Sequence, residues 1–492
     1  MRPRIADPPA SSPAVVWFRD DLRLADNPAL AAAVASGCPL ICLYVHDEES
    51  EGVRPLGGAS KWWLHGALGE LEQSVRRLGG ELVIMRGKAS PILEEVATRT
   101  KAKFVLWNRR YDGASRAIDE KLEAALEGRG VTVESFGANL LHEPGTLGTS
   151  SGEPFRVFTP FWRAARSAGE PSAPLPAPGR LRRYALPETL KGLTCTLANL
   201  ELEPHAPDWA GGLREAWTRG EAAGQAQLTG FVQRKLGGYA RDRDRPDKAS
   251  TSRLSPYLRF GNLSPRQVWH AATTAVSSGD SQASQRDLDK FLAELGWREF
   301  SYHLLFHNPQ LANENFNPRF NGMPWRRDAR ALRAWQRGQT GYPLVDAGMR
   351  QLWSTGWMHN RVRMVTASFL IKHLLIDWRE GERWFWDRLV DADPANNAAS
   401  WQWVAGSGAD AAPFFRVFNP VLQGQKFDPH ARFAKEFIPE LARVPAGLVH
   451  RPGADLGEEL PLDHPKKLYP PPIVEHGEAR QRALTAFQNL RG

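Results

Sequence analysis

At 492 residues the chain is longer than one hydrophobic core usually supports, so two domains and a connection are expected. Its hydrophobic content of 42% suits well-packed globules, no apolar run reaches about 18 residues, and residues 1–13 lack the apolar stretch of a secretory signal; a membrane span is excluded and a cytoplasmic protein is expected. The formal charge of +8 favours a polyanionic partner without identifying it, and the 18 tryptophans offer packing bulk, stacking faces or redox sites.

From Ala14 to about His142, the β-rich runs AVVWF, PLICLYV, ELVIM, KFVLW and VTVESF alternate with alanine- and leucine-rich stretches. That alternation predicts a parallel sheet with helices on both faces, an α/β Rossmann-like domain over 1–143. Cys38, Cys42 and Cys195 have no metal-binding spacing and read as buried structural thiols. The Pro- and Ala-rich run SAGEPSAPLPAPGR marks a long linker, drawn over 144–208. Beyond it the strand pattern fades, and DLDKFLAELGWREFSYHLLF and NRVRMVTASFLIKHLL show helical periodicity, so 209–492 is predicted to be all-α.

Neither a Gly-x-Gly-x-x-Gly loop nor a Walker A sequence occurs. In TSRLSPYLRFGNLSPRQ, Thr251, Ser252, Arg253, Leu254 and Ser255 cluster hydroxyls, backbone donors and a guanidinium where a helix can start. Such a cluster suits a phosphate and equally makes an ordinary N-cap with a surface arginine. Glu294, Trp297 and Arg298 share one helical face, as do Asn360, Arg363 and Met364. These faces serve either a pocket for a flat, hydrogen-bonding ligand or the solvent side of an amphipathic helix. In DADPANNAASWQWVAGSG, Asp391 and Asp393 lack further metal ligands nearby, so hydrogen bonds to a cofactor are the better reading and no metal is expected.

Taken together, VVWFRDDLRLADNPAL, TSRLS, WREF, TGYPLVDAGMRQLWSTGWMHNRVRM, DWREGERWFW and NPVLQGQKFD closely resemble the photolyase and cryptochrome family, in particular bacterial members that repair cyclobutane pyrimidine dimers. The resemblance implies a helical domain holding a U-shaped FAD, with Tyr239 and Thr251 to Ser255 around its phosphates and ribityl chain. It puts Arg363, Asp391, Ala392, Asp393 and Asn397 around the flavin, Asn397 facing N5. Glu294, Asn360 and Met364 fall at the lesion, with Trp297 and Trp403 as apolar walls, and Glu294 is expected to serve the dimer as a hydrogen-bond donor. Arg243, Arg361, Arg416 and Gln423 match positions that grip DNA around a flipped site. Trp401, Trp378 and Trp325 match an electron relay from the surface to the flavin, with Trp384 and Trp386 as candidate branches. The implied reaction is light-driven electron transfer from reduced FAD to the dimer, with the electron returned after the ring splits.

The resemblance also implies an antenna chromophore in the α/β domain. Ala114 and Ser115 stand where the best-known folate-binding members carry an Asn-Glu pair, a departure that leaves 5,10-methenyltetrahydrofolate expected ahead of a deazaflavin. UV-damaged DNA is the expected partner of a monomeric protein. The competing reading is a cryptochrome-type blue-light sensor, but plant sensors usually carry Asp at the position of Asn397 and a long C-terminal extension. A photolyase for the (6-4) lesion would place histidines at Asn360 and Met364.

Overall fold

The computed structural model describes residues 12–411, 415–451 and 469–490. Most of the N-terminal run read for a signal, residues 1–11, lies outside them.

Strands β1 (Ala14–Phe18), β2 (Leu40–His46), β3 (Leu82–Arg86), β4 (Phe104–Asn108) and β5 (Thr132–Phe136) form one parallel sheet in the order β3-β2-β1-β4-β5. Its register pairs Ala14 with Leu40 on one side and with Phe104 on the other. Residues alternate between faces as a strand requires: Val16 and Phe18 join a core shared with the helical part, whereas Val15 and Trp17 join a core under the opposite helices. Helices α1 (Pro28–Ala35), α2 (Gly58–Arg77), α3 (Ala89–Thr100) and α4 (Gly113–Glu127) supply the crossovers. Cys38 and Cys42 are buried as expected, and Cys195 is half-buried.

The connection is more than an extended chain, because it contains α5 (Phe158–Ser167). Phe158 of α5 stacks on Trp297 with ring centroids 3.8 Å apart, which places this helix against the helical domain.

Among the described residues no strand follows β5. The helices that build the site are α6 (Tyr239–Asp242), α7 (Ser255–Arg259), α8 (Gln285–His307), α9 (Asn360–Ser368), α10 (Trp378–Arg388) and α11 (Asn396–Ala405), and α12 (Pro420–Phe427) lies beside them. The 23-residue α8 starts at a capping box in which Ser284 and Asp287 satisfy each other's backbone.

The crevice beyond the carboxyl ends of β1 and β4 is where an open α/β sheet usually takes a ligand. Here the helical domain fills it. Gly261, at φ +63°, approaches so closely that a Cβ would lie 2.0 Å from the Asp20 carbonyl oxygen. The fully buried Arg23 donates to the carbonyls of Asp26, Ala138 and Gly261. Trp63 of α2 adds a hydrogen bond to Asn262 (3.1 Å) and packs edge-on to Tyr257. Among the described residues no helix is long and apolar enough to cross a membrane.

Candidate active site

A cavity of about 510 Å³ opens in the helical domain, within the size range of cofactor sites. Its wall includes Tyr239, Ser252, Leu254 and Ser255 together with Arg363, Asp391, Ala392, Asp393 and Asn397. Glu294, Trp297, Asn360, Met364 and Trp403 line the same cavity, together with Arg243, Arg361 and Trp401. Residues separated by more than 150 positions thus converge because α6 to α11 pack around one space.

Ion pairs set the electrostatics of the wall. Arg363 donates to both oxygens of the buried Asp391 (3.1 and 2.8 Å) and to the Met358 carbonyl (2.7 Å). Arg243 holds Glu294 at 2.7 Å, and Arg361 holds Asp244 at 2.8 Å. Both guanidinium groups keep a buried Nε without a protein partner. Two cations, Arg243 and Lys290, lie against Glu294, which accepts from them in this structure. Burial among these aromatic and apolar groups pushes the Tyr239 phenol up.

Thr251, Arg253, Arg416 and Gln423 do not line this cavity. Arg253 takes φ +54°, and its guanidinium lies over Trp217 at 4.1 Å and near Trp357 at 5.3 Å. An Arg in the left-handed region costs about 1 kcal/mol, and stacking its head on two indoles offsets that cost. Arg416 lines a neighbouring cavity of about 540 Å³ that shares Trp403 with the first. Gln423 sits on α12. Asp393 is engaged just before α11: one oxygen accepts the Ala395 and Asn396 N–H groups (2.9 and 2.7 Å), the other the Tyr302 hydroxyl (2.8 Å).

Of the tryptophans expected to form a relay, Trp401 lines the cavity, Trp378 is fully buried with its indole N–H on Asn315 (2.9 Å), and Trp325 is half-buried. Trp386 is buried and donates to the Pro55 carbonyl, whereas Trp384 is half-buried beneath Arg388. In the α/β domain, the Ser115 N–H donates to Asp112, and Ala114 packs on Gly52, so both candidate antenna positions serve the start of α4.

Sequence reading missed residues on and behind this wall. Arg259 of α7 donates to the Ala392 carbonyl (2.7 Å) and pairs with Asp20 of the α/β domain (3.0 Å). Arg110 and Arg259 hold the Asp20 carboxyl far below the usual range despite burial. Glu382 of α10 accepts from Asn397 and from Arg54. No local pattern marks such contacts, because each partner comes from a distant segment.

The entry to α9 is acid-sensitive. His359 is its N-cap, accepting the Arg361 N–H at Nδ1 (3.2 Å), and burial pushes its imidazole from 6.5 down to about 4. Because the unfolded chain binds this proton more tightly, the stabilising term is complete above pH 6.5 and is lost as pH falls towards 4. A displacement of this size corresponds to about 3 kcal/mol. His359→Asn keeps an acceptor at the cap without titrating. Denaturant unfolding at pH 7 and pH 4 should therefore show the variant losing about 3 kcal/mol less than the wild type.

The residues fit FAD. The cavity offers the serine hydroxyls of Ser252 and Ser255 for its phosphates, an amide and an Arg–Asp pair for its polar ring edge, and Phe385, Leu389 and Val404 for its flat faces. Residues 291–489 match the FAD binding domain of DNA photolyase, and residues 14–179 match DNA photolyase. The chain is 50% identical to the deoxyribodipyrimidine photo-lyase of Agrobacterium fabrum, covering 98% of both chains. It is 36% identical to cryptochrome-1 of Arabidopsis thaliana, covering 97% of this chain and 70% of that one. The crystal structure of a bacterial class III photolyase from Agrobacterium tumefaciens superposes with a TM-score of 0.91 at 48% identity, covering 99% of each chain. With such identity over nearly its whole length, the chain belongs to the photolyase and cryptochrome family and carries that family's FAD-binding domain.

Proposed function

We propose that this protein is a deoxyribodipyrimidine photo-lyase that repairs cyclobutane pyrimidine dimers in DNA. One observation carries the reading: the lesion residues Glu294, Asn360, Met364, Trp297 and Trp403 line the same cavity as the cofactor residues Asp391 and Asn397. When bound and reduced, FAD supplies the light-excited electron that splits the dimer.

The chain's own residues do the rest. Trp297, backed by Phe158, and Trp403, whose indole N–H is fixed on the Asp410 carbonyl (3.0 Å), are rigid faces for a flipped dimer. Asn360 offers an amide to the pyrimidine edges, and Met364 fills the space beside it. Glu294, held by Arg243, takes an imide N–H as acceptor. Arg243 and Arg361 are pre-positioned by their carboxylate partners near the cavity, where phosphate contacts position the DNA while lesion shape specifies the site. Arg416 and Gln423 extend that grip beside the neighbouring cavity.

We propose a monomer, since DNA needs an open cavity mouth. We further propose 5,10-methenyltetrahydrofolate, with a deazaflavin as alternative, as antenna in the α/β domain; the absorbance of chromophores released on denaturation distinguishes them.

The test is dimer loss in irradiated oligothymidylate, under blue light and in darkness, with chemically reduced protein. Loss should require light, and Asn360→Ala should slow it about tenfold, the value of roughly one well-placed hydrogen bond. No loss despite bound, reduced FAD overturns repair in favour of the blue-light sensor to which the similarity with cryptochrome-1 points.

A further inference from the structure

The segment between β2 and α2 is stitched to α10. Arg54 forms a two-pronged bond to Glu382, Nη1 to Oε1 at 2.7 Å and Nη2 to Oε2 at 2.8 Å. Its guanidinium also lies 4.0 Å over the ring of Trp386, whose indole N–H donates to the Pro55 carbonyl (2.8 Å). The Gly58 N–H donates to Asp387 (3.0 Å), and the Ser60 hydroxyl donates to the Leu389 carbonyl (3.1 Å). At Gly57 a Cβ would lie 2.2 Å from the Trp386 carbonyl oxygen. The segment is thus a built clamp on the outer face of α10.

What the clamp holds reaches the cavity. Glu382 is 2% exposed, and both of its acceptor groups on this side are taken by one amide: Asn397 Nδ2 donates to the Glu382 carbonyl (3.0 Å) and to Oε1 (2.8 Å). With both N–H bonds of that amide directed at Glu382, the Asn397 oxygen is the end left for the cavity that Asn397 lines. Turning the amide over would set its oxygen against two acceptors.

We propose that Arg54, in the α/β domain, is a positioning residue for the cofactor site: by holding the Glu382 carboxylate against Asn397, it fixes that amide with its oxygen towards the flavin. The inference rests on FAD occupying the cavity with N5 beside Asn397. Reduced flavin carries a hydrogen on N5 and oxidised flavin does not, so an oxygen facing N5 favours the reduced form. Without Arg54, the Glu382 carboxylate loses the two-pronged bond that holds it against Asn397, the amide is free to turn, and its NH₂ meets the N5 hydrogen.

The experiment is a spectroelectrochemical titration of bound FAD in the wild type, Arg54→Gln and Arg54→Lys, with flavin stoichiometry and thermal melting recorded in parallel. Arg54→Gln should lower the ratio of reduced to oxidised flavin at fixed potential about tenfold, roughly 30 mV for the two-electron couple. Arg54→Lys, which keeps the charge, should stay within about threefold of the wild type. In an Asn397→Ala background Arg54→Gln should have no further effect. An unchanged potential in folded, flavin-loaded Arg54→Gln overturns the proposal, as does a full additional effect in the Asn397→Ala background. If Arg54→Gln fails to hold flavin, Glu382→Asp, which withdraws the carboxylate from Asn397, takes its place: the same fall supports the proposal and no change overturns it. Wild-type protein that takes up no FAD overturns the cofactor reading instead.

Discussion

Replacing Trp401 with Phe should slow light-driven reduction of bound, oxidised FAD by at least about 100-fold, ~2.7 kcal/mol in barrier, while chemically reduced variant repairs dimers within about threefold of the wild type. The separation follows from position and chemistry together. Indole gives up an electron far more readily than a phenyl ring, and of the three tryptophans expected to form a relay, Trp401 is the one on the cavity wall. It is 2% exposed and packs edge-on to Phe385 with centroids 4.9 Å apart, so solvent cannot substitute for it. Its six-membered ring presses on the backbone of α10, where a Cβ at Gly381 would lie 2.1 Å from it. Gly381 is one turn from Trp378, so this contact leads directly to the next relay residue. Phe in either of the other positions, Trp378 or Trp325, should give a comparable loss. Transient absorption of the oxidised flavin after a blue flash is the measurement, and normal photoreduction in Trp401→Phe removes the relay assignment.

The two-domain plan was legible because each part carries its own periodicity: buried runs such as LICLYVH separated by helical stretches, then amphipathic repeats with no strand signal. The cavity was legible as sets of residues one turn apart, since the spacing of Glu294 to Trp297 and of Asn360 to Met364 survives folding unchanged. What stayed hidden depends on contacts across the chain. Arg54 meets Glu382 over 328 positions, and nothing in EGVRPLGG announces it. Helix α5 hides beside the proline-rich run because its reason to form, Phe158 on Trp297, is tertiary. Arg253 and Asp393 look alike as polar residues near a cofactor, yet Arg253, at positive φ, lies over tryptophans while Asp393 accepts the backbone N–H groups at the start of α11. Residue type identified the chemistry available; direction came only with the fold.

Direction also decides the second large effect, at Arg363. Arg363→Met should destabilise the protein by about 3–5 kcal/mol and abolish stoichiometric FAD retention, whereas Asp391→Asn should cost less. The Asp391 side chain is 3% exposed and depends on Arg363 for its counter-charge, while Arg363, 25% exposed, can still reach water when its partner is neutralised. The asymmetry therefore comes from which charge is stranded. Arg363 also donates to the Met358 carbonyl just before α9, so its removal loosens the helix that presents Asn360 and Met364. Combining Arg363→Met with Asp391→Asn should recover about 1–2 kcal/mol of the loss, because no buried charge is then left unpaired. Urea unfolding of the flavin-free proteins measures the cycle, and flavin absorbance per chain measures retention. Equal costs for the two single variants, with no recovery in the double, would show that this pair contributes packing rather than charge to the cavity.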